Sequence, residues 1–224
     1  MQRKKYAVIL AGGRGVRMGS SLPKQFLELK GKPILRHTIE RFLEYDGTME
    51  MILVLPSDQK QWWKNYCEES GFLSRYVLIS GGVTRFHSVQ NALKYVEDGA
   101  LVAVHDGVRP LINNDLLDRL FTAAASDRAV VPVMGMVESL RFLSDDGSSS
   151  SVDRSRYAAV QTPQVFHSEV LKEAYSQPYS HLFTDDASVV EAAGYSVKLV
   201  EGLRFNLKIT TPEDLRLASF LLGD

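Results

Sequence analysis

The chain has 224 residues, 45% of them hydrophobic, with 26 basic and 27 acidic side chains for a net charge of −1 and one cysteine. So large an apolar share with so little net charge excludes a disordered chain, and the balance excludes the broad basic surface that nonspecific nucleic-acid binding needs. A single cysteine, Cys67, makes neither an internal disulfide nor a zinc cluster, and no apolar run approaches the roughly 18 residues of a membrane helix.

The opening Met-Gln-Arg-Lys-Lys carries no signal-peptide pattern, so the expectation is a soluble, cytoplasmic protein without nucleic-acid or membrane partners. Tyr6 to Leu10 reads as a strand ending at a glycine cluster. Ile34, Leu35, Thr38, Ile39, Phe42 and Leu43 then recur at helical spacing behind Pro33. Met51 to Leu55 is a second strand, with Ser57 placed to cap a polar helix reaching about Glu69. Tyr76 to Ile79, Leu101 to His105 and Ala129 to Val133 continue the strands, separated by helices bearing Val89, Leu93 and Val96, then Leu117, Leu120 and Phe121. This order predicts an α/β fold with a doubly wound, mainly parallel sheet, because parallel neighbours need crossover helices. The whole chain, 1–224, reads as one domain.

Between about 136 and 160 the pattern breaks. Val137 to Leu143 and Val152 to Val160 look extended around Asp145-Asp146-Gly147 and Ser148 to Ser151, which predicts a projecting β-hairpin arm; a surface loop is the other reading. Helical patterns resume from Ser168 to Tyr175 and Asp185 to Ala193, then a strand, Ser196 to Val200. Thr211-Pro212-Glu213-Asp214 opens the last helix with a cap, a first-turn proline and acids that suit the helix dipole.

The first strand runs into Ala11-Gly12-Gly13-Arg14-Gly15-Val16-Arg17, followed by Pro23-Lys24-Gln25. Glycines at a strand's carboxyl end let backbone N–H groups close on a phosphate. Met18 stands where the dinucleotide fingerprint wants glycine, and no Gly-Lys-Ser/Thr follows, so neither that fingerprint nor the P-loop applies. Arg17 and Lys24 supply cations for a polyphosphate held by Ala11, Gly12, Gly13 and Gly15. After the third strand come Gly81-Gly82-Val83-Thr84-Arg85-Phe86-His87-Ser88, suited to a planar base or simply to a turn with a helix cap. Asp106 closes the fourth strand, placed for Mg²⁺ or for a plain turn.

The first string resembles the nucleotidyltransferase signature, and Pro-Lys-Gln resembles its cytidylyltransferase branch. Gly82, Arg85 and Ser88 are similar to the cytosine-reading positions of the 2-C-methyl-D-erythritol 4-phosphate cytidylyltransferase family, although Val83 stands where many members are acidic and Gly107 and Val108 where alanines are usual. The resemblance implies that Asp106 binds Mg²⁺ and the nucleotide ribose beside Arg109. It further implies a dimer arm in which Ser139 and Arg154 reach a partner's substrate. Gln161-Thr162-Pro163-Gln164 and Thr184-Asp185-Asp186-Ala187-Ser188 resemble two more signatures, which place Thr162 at the substrate, give Thr184 a contact to the alditol phosphate beside its plainer reading as a helix cap, and give Asp185 either Mg²⁺ or substrate hydroxyls. Asn206-Leu207-Lys208-Ile209-Thr210 reads as an apolar strand with a lysine set in it; Lys208 resembles a second phosphate-binding lysine of the family. The implied reaction transfers CMP from CTP to 2-C-methyl-D-erythritol 4-phosphate, in the non-mevalonate isoprenoid precursor route, by Arg17, Lys24 and Lys208 in a Mg²⁺-dependent homodimer. A ribitol 5-phosphate cytidylyltransferase is the alternative, and a noncatalytic nucleotide-binding module a remoter one.

Overall fold

The computed structural model describes residues 3–13 and 22–223, so Gly15 and Arg17 lie outside the described residues. In chain order, β1 (Lys5–Leu10) is followed by a small hairpin of β2 (Glu28–Leu29) with β3 (Lys32–Pro33), and then α1 (Ile34–Tyr45). β4 (Glu50–Leu55), α2 (Lys60–Glu69), β5 (Val77–Ser80), α3 (Arg85–Leu93), β6 (Leu101–Asp106), α4 (Asn114–Ala123) and β7 (Ala129–Gly135) keep the alternation. β8 (Leu140–Leu143) and β9 (Ser149–Val152) pair only with each other as a separate hairpin. The remainder comprises β10 (Ala158–Val160), β11 (Gln164–His167), α5 (Ser168–Ala174), α6 (Asp186–Ala192), β12 (Lys198–Glu201) and α7 (Pro212–Leu221).

Among the described residues, eight strands form one sheet in the order β10-β7-β11-β6-β1-β4-β5, with β12 also paired to β7. β6, β1, β4 and β5 are mutually parallel, as their apolar runs predict. Alternate residues of each strand enter opposite faces. Ala7, Ile9, Leu53, Leu55 and Ala103 pack under α1, α2 and α4, whereas Val8, Ile52, Val54, Val102 and Val104 pack under α3, α5 and α6. α7 closes a smaller cluster with Leu29, Ile34, Val108 and Ile209.

The sheet is more mixed than the sequence suggests. β11 lies between β6 and β7 and is antiparallel to both. Only residues 161–163 separate it from β10, which returns from the hairpin along β7, and a parallel strand needs a crossover of about a dozen residues to reach the opposite edge. The arm is also shorter than expected. Ser149 to Ser151 are strand rather than turn, and Ala158–Val160 rejoins the main sheet instead of completing the hairpin.

Other local expectations are corrected at the caps. Ser57 begins a short 3-10 turn, Ser57–Gln59, and α2 starts instead behind Gln59, which makes no side-chain cap bond. Residues 206–210 form no strand: Asn206 N–H and Leu207 N–H bond locally to the Leu203 and Phe205 carbonyls at 3.1 and 2.7 Å, and Ile209 N–H reaches across to the Val108 carbonyl at 2.9 Å. The final helix follows the sequence reading closely: Thr211 and Asp214 form a reciprocal capping box, with Pro212 in the first turn.

Candidate active site

The carboxyl ends of β1, β4, β5 and β6 share one edge, where open α/β sheets bind ligands. A cavity of about 770 Å³ opens there, lined by Ala11, Gly12 and Gly13, by Pro56 to Asp58, by Gly81 to Arg85, and by Ser88 and Asp106. Lys24, Gln25 and Lys208 complete its wall. Thus Ala11, Gly12, Gly13, Gly82, Arg85, Ser88, Asp106, Lys24 and Lys208, scattered over almost 200 positions, meet at one place.

Packing fixes each charged group. Phe26 is buried and stacks on Trp62 at a 4.1 Å centroid separation, with Trp63 behind it at 6.2 Å. Beside it, Gln25 is wholly buried and donates from Nε2 to the Ala11 carbonyl at 2.9 Å and to Gln59 Oε1 at 2.5 Å. The short turn Lys24–Phe26 is therefore pinned through two of its residues, and the third, Lys24, is carried to the cavity. Its Nζ donates to the Ile209 carbonyl at 3.3 Å, and its stem runs so near the glycine loop that a Cβ on Gly13 would lie 3.4 Å from Lys24 Cε.

Lys208 arrives from the far end of the chain. Its neighbour Ile209 is buried in the α7 cluster, and Asn206 is buried with Nδ2 donating to the Thr162 carbonyl at 2.8 Å. Between these anchors Lys208 Nζ reaches Asp106 Oδ2 at 2.9 Å. The same carboxylate meets Arg109 Nε at 3.3 Å and Arg85 Nε at 3.9 Å. Burial alone would raise the Asp106 carboxyl, but Arg85, Lys208 and Arg109 outweigh it and hold the group well below the usual carboxylate range.

Behind Asp106 runs an ordered chain of donors. Its backbone N–H donates to Thr162 Oγ1 at 3.1 Å; Thr162 Oγ1 lies 3.0 Å from His105 Nδ1; and His105 Nε2 lies 3.1 Å from the Arg109 carbonyl. Every partner is satisfied when Thr162 donates to Nδ1 and a neutral imidazole donates from Nε2. Burial favours that neutral form, lowering His105 to about 4 against the weaker pull of Asp106.

On the opposite wall, Thr84 caps α3, and Ser88 Oγ accepts from Gly82 N–H at 3.0 Å while donating to the Thr84 carbonyl at 2.9 Å. Gly82 is required here, since a Cβ would collide with His87 Cβ and stand 2.9 Å from its backbone carbonyl carbon. Gly107 is equally confined, a Cβ there lying 3.0 Å from Ala11 Cβ and Leu35 Cδ1.

A glycine-lined cavity at the strand ends, two lysines and an ion-paired aspartate make a candidate nucleotide site, and sequence comparison gives the family. A profile described as IspD, 2-C-methyl-D-erythritol 4-phosphate cytidylyltransferase, matches residues 6–224. The chain belongs to this family. The 2-C-methyl-D-erythritol 4-phosphate cytidylyltransferase of Bacteroides thetaiotaomicron is 52% identical over 219 residues, covering 98% of this chain and 100% of that protein. That of Porphyromonas gingivalis is 50% identical over 223 residues, covering 99% of each. The crystal structure of 4-diphosphocytidyl-2C-methyl-D-erythritol synthase from Anaerococcus prevotii has a TM-score of 0.83 at 26% identity, covering 99% of both chains. The Thermus thermophilus cytidylyltransferase has a TM-score of 0.76 at 31% identity, covering 97% of this chain and 98% of that one.

Not every residue expected from the cytidylyltransferase resemblance lines the cavity. Arg109 and Thr162 sit behind Asp106, and Arg109 Nη1 also donates to the Asn206 carbonyl at 2.7 Å. Ser139 and Arg154 are exposed in the arm, where Arg154 donates to the Val137 carbonyl. Thr184 is exposed and does not cap α6; the cap is Asp185, whose carboxylate takes the Ser188 N–H at 2.9 Å and Gln164 Nε2 at 2.7 Å. Sequence reasoning passed over Gln25, Gln161, Asn206 and Asp186. All four sat inside strings that resemble the family, but each acts by holding backbone or side chains, a role that leaves no local pattern.

Proposed function

We propose that this chain transfers CMP from CTP to 2-C-methyl-D-erythritol 4-phosphate, releasing pyrophosphate. Family membership supports the reaction class, and one structural observation carries the site: Lys24 and Lys208, 184 positions apart, reach the same glycine-lined cavity beside Asp106. An oxygen of the substrate phosphate attacks the α-phosphorus of CTP, and the bond to the β-phosphate breaks. That phosphate is already ionised at neutral pH, so no general base is required. Lys24 and Lys208 orient the triphosphate and compensate charge on the five-coordinate phosphorus and the departing pyrophosphate, joined by Arg17 from the glycine loop. Removing one such donor costs on the order of 10²–10³ in turnover.

Among the described residues no cluster of three or more His, Cys, Asp or Glu side chains is placed to hold a metal. Asp106 nevertheless fits Mg²⁺, which is commonly held by one or two carboxylates with phosphate oxygens and water supplying the rest. Lys208 is about half exposed, so its 2.9 Å contact on Asp106 can swing away. When bound, Mg²⁺ would neutralise phosphate oxygens. Asp106 would hold it, Arg109 would keep that carboxylate oriented, and Lys208 would turn to the phosphates.

The same reading makes the chain a single catalytic unit that pairs as a homodimer through its arm. Val137, Phe142, Leu143 and Tyr157 are exposed along the arm, an apolar surface that a second copy would cover. Ser139 and Arg154 would then meet the partner's alditol phosphate. Pyrophosphate release, measured with each of four nucleoside triphosphates against methylerythritol phosphate and ribitol 5-phosphate, tests the assignment. The expected result is turnover confined to CTP with methylerythritol phosphate. Preference for ribitol 5-phosphate, or CTP binding without pyrophosphate release, overturns it.

A further inference from the structure

Asp186 is wholly buried and carries a carboxylate that no proposed step uses. It takes both terminal nitrogens of Arg85, Nη1 at 2.7 Å and Nη2 at 2.6 Å, and the Tyr175 hydroxyl donates to its Oδ1 at 2.6 Å. Tyr175 is itself buried and stacked on Phe86, the residue after Arg85, at 4.7 Å. Burial and Asp186 both push the Tyr175 phenol up, so it stays a donor.

This arrangement dictates what Arg85 can do. A bidentate pair fixes the guanidinium plane as well as its place. With both terminal nitrogens committed to Asp186, the remaining Nε faces Asp106 at 3.9 Å, and about a third of the Arg85 side chain stays open to the cavity. Burying such an ion pair rarely improves stability over apolar packing. Its distinctive product is geometry. Of the three cations that meet Asp106 among the described residues, Arg85 is fixed from behind by Asp186 and Arg109 by the Asn206 carbonyl, whereas Lys208 reaches it on a half-exposed side chain.

We propose that Asp186, locked by Tyr175, is a positioning residue: it sets Arg85 beside Asp106 and thereby holds the Asp106 carboxylate in the orientation that receives the metal-bound nucleotide. It touches neither substrate. The inference rests on the cytidylyltransferase reading, which parent pyrophosphate release tests first and separately.

The test compares the parent with Asp186→Asn and Tyr175→Phe. Thermal unfolding, kcat and both KM values are measured, and calorimetry follows CTP affinity with and without Mg²⁺. Asp186→Asn leaves a charged Arg85 without its counter-ion and carries the larger folding risk; Tyr175→Phe keeps the ring and removes only the hydroxyl. Loss of groups that orient a metal ligand typically costs about 10–100-fold. The expected fall in kcat is therefore about tenfold for Tyr175→Phe and up to about 100-fold for Asp186→Asn, with the KM for methylerythritol phosphate little changed. The gain in CTP affinity brought by Mg²⁺ should shrink in parallel, whereas a purely structural pair would leave it intact in folded protein. The proposal is overturned if folded variants keep parent kcat and the parent Mg²⁺ effect, or if KM alone rises. It is equally overturned if Tyr175→Phe yields no folded protein, because the pair would then serve stability alone.

Discussion

Neutral His105 sits at the centre of the hydrogen-bonded chain behind Asp106, and that placement makes stability depend on pH in a calculable way. In the unfolded chain the imidazole titrates at its ordinary value of 6.5; folded, it is lowered to about 4 by burial. Between those values the unfolded state binds the extra proton, so stability must fall as pH falls. The contribution is fully present above the unfolded value and is lost progressively down to about pH 4. The displacement corresponds to about 3 kcal/mol in the limit, of which about 2 kcal/mol falls between pH 7 and pH 4.5. Urea unfolding followed by the fluorescence of Trp62 and Trp63 measures it, with His105→Gln as the control. His37, also lowered by burial, contributes to both proteins and cancels in the difference. Asp106 acts at lower pH, its carboxyl being held below the usual range. If parent and His105→Gln lose stability identically from pH 7 to 4.5, the imidazole is not held neutral and the donor order behind Asp106 is wrong.

Lys24→Ala should lower kcat by about 10²–10³ while changing CTP affinity much less, since its charge acts on the phosphoryl group under attack; equal losses in both constants would make it a binding group only. Gly82→Ala drives a methyl into the backbone of His87, with a predicted cost of about 1–3 kcal/mol in thermal stability and weaker CTP binding. Parent-like melting and affinity for that variant would show the turn to be slack. Thr211→Ala removes the cap of α7 and should cost about 1 kcal/mol without altering turnover. A change in kcat there would mean that α7 bears on the site through Ile209.

The parallel half of the sheet is legible in the sequence because each of its strands is a short apolar run followed by residues at helical spacing. β11 is not. Gln164-Val165-Phe166-His167 is brief and begins with a polar side chain, whose burial makes sense only once Asp185 and the Ala187 N–H are beside it. Lys208 suggests a strand because apolar residues flank it, yet Ile209 is apolar to meet α7, not a neighbouring strand. Thr184-Asp185-Asp186 shows the limit most clearly. Three adjacent residues can each cap a helix, and it takes Arg85, a hundred positions away, to decide that Asp186 is the buried one and Asp185 the cap. The glycine loop and Asp106 carry local chemistry and can be read directly; the convergence of Lys24 with Lys208 came only from family resemblance.

A strand running against its neighbours begins where theirs finish. β11 does so between β6 and β7, delivering Thr162 to the backbone of Asp106 only two residues after the arm's return strand ends at Val160. The linkage has no slack. Extra residues at the tip of the arm, around Gly147, lengthen an outlying ribbon, whereas a single one spliced into 161–163 shifts the register of the support on which the aspartate stands.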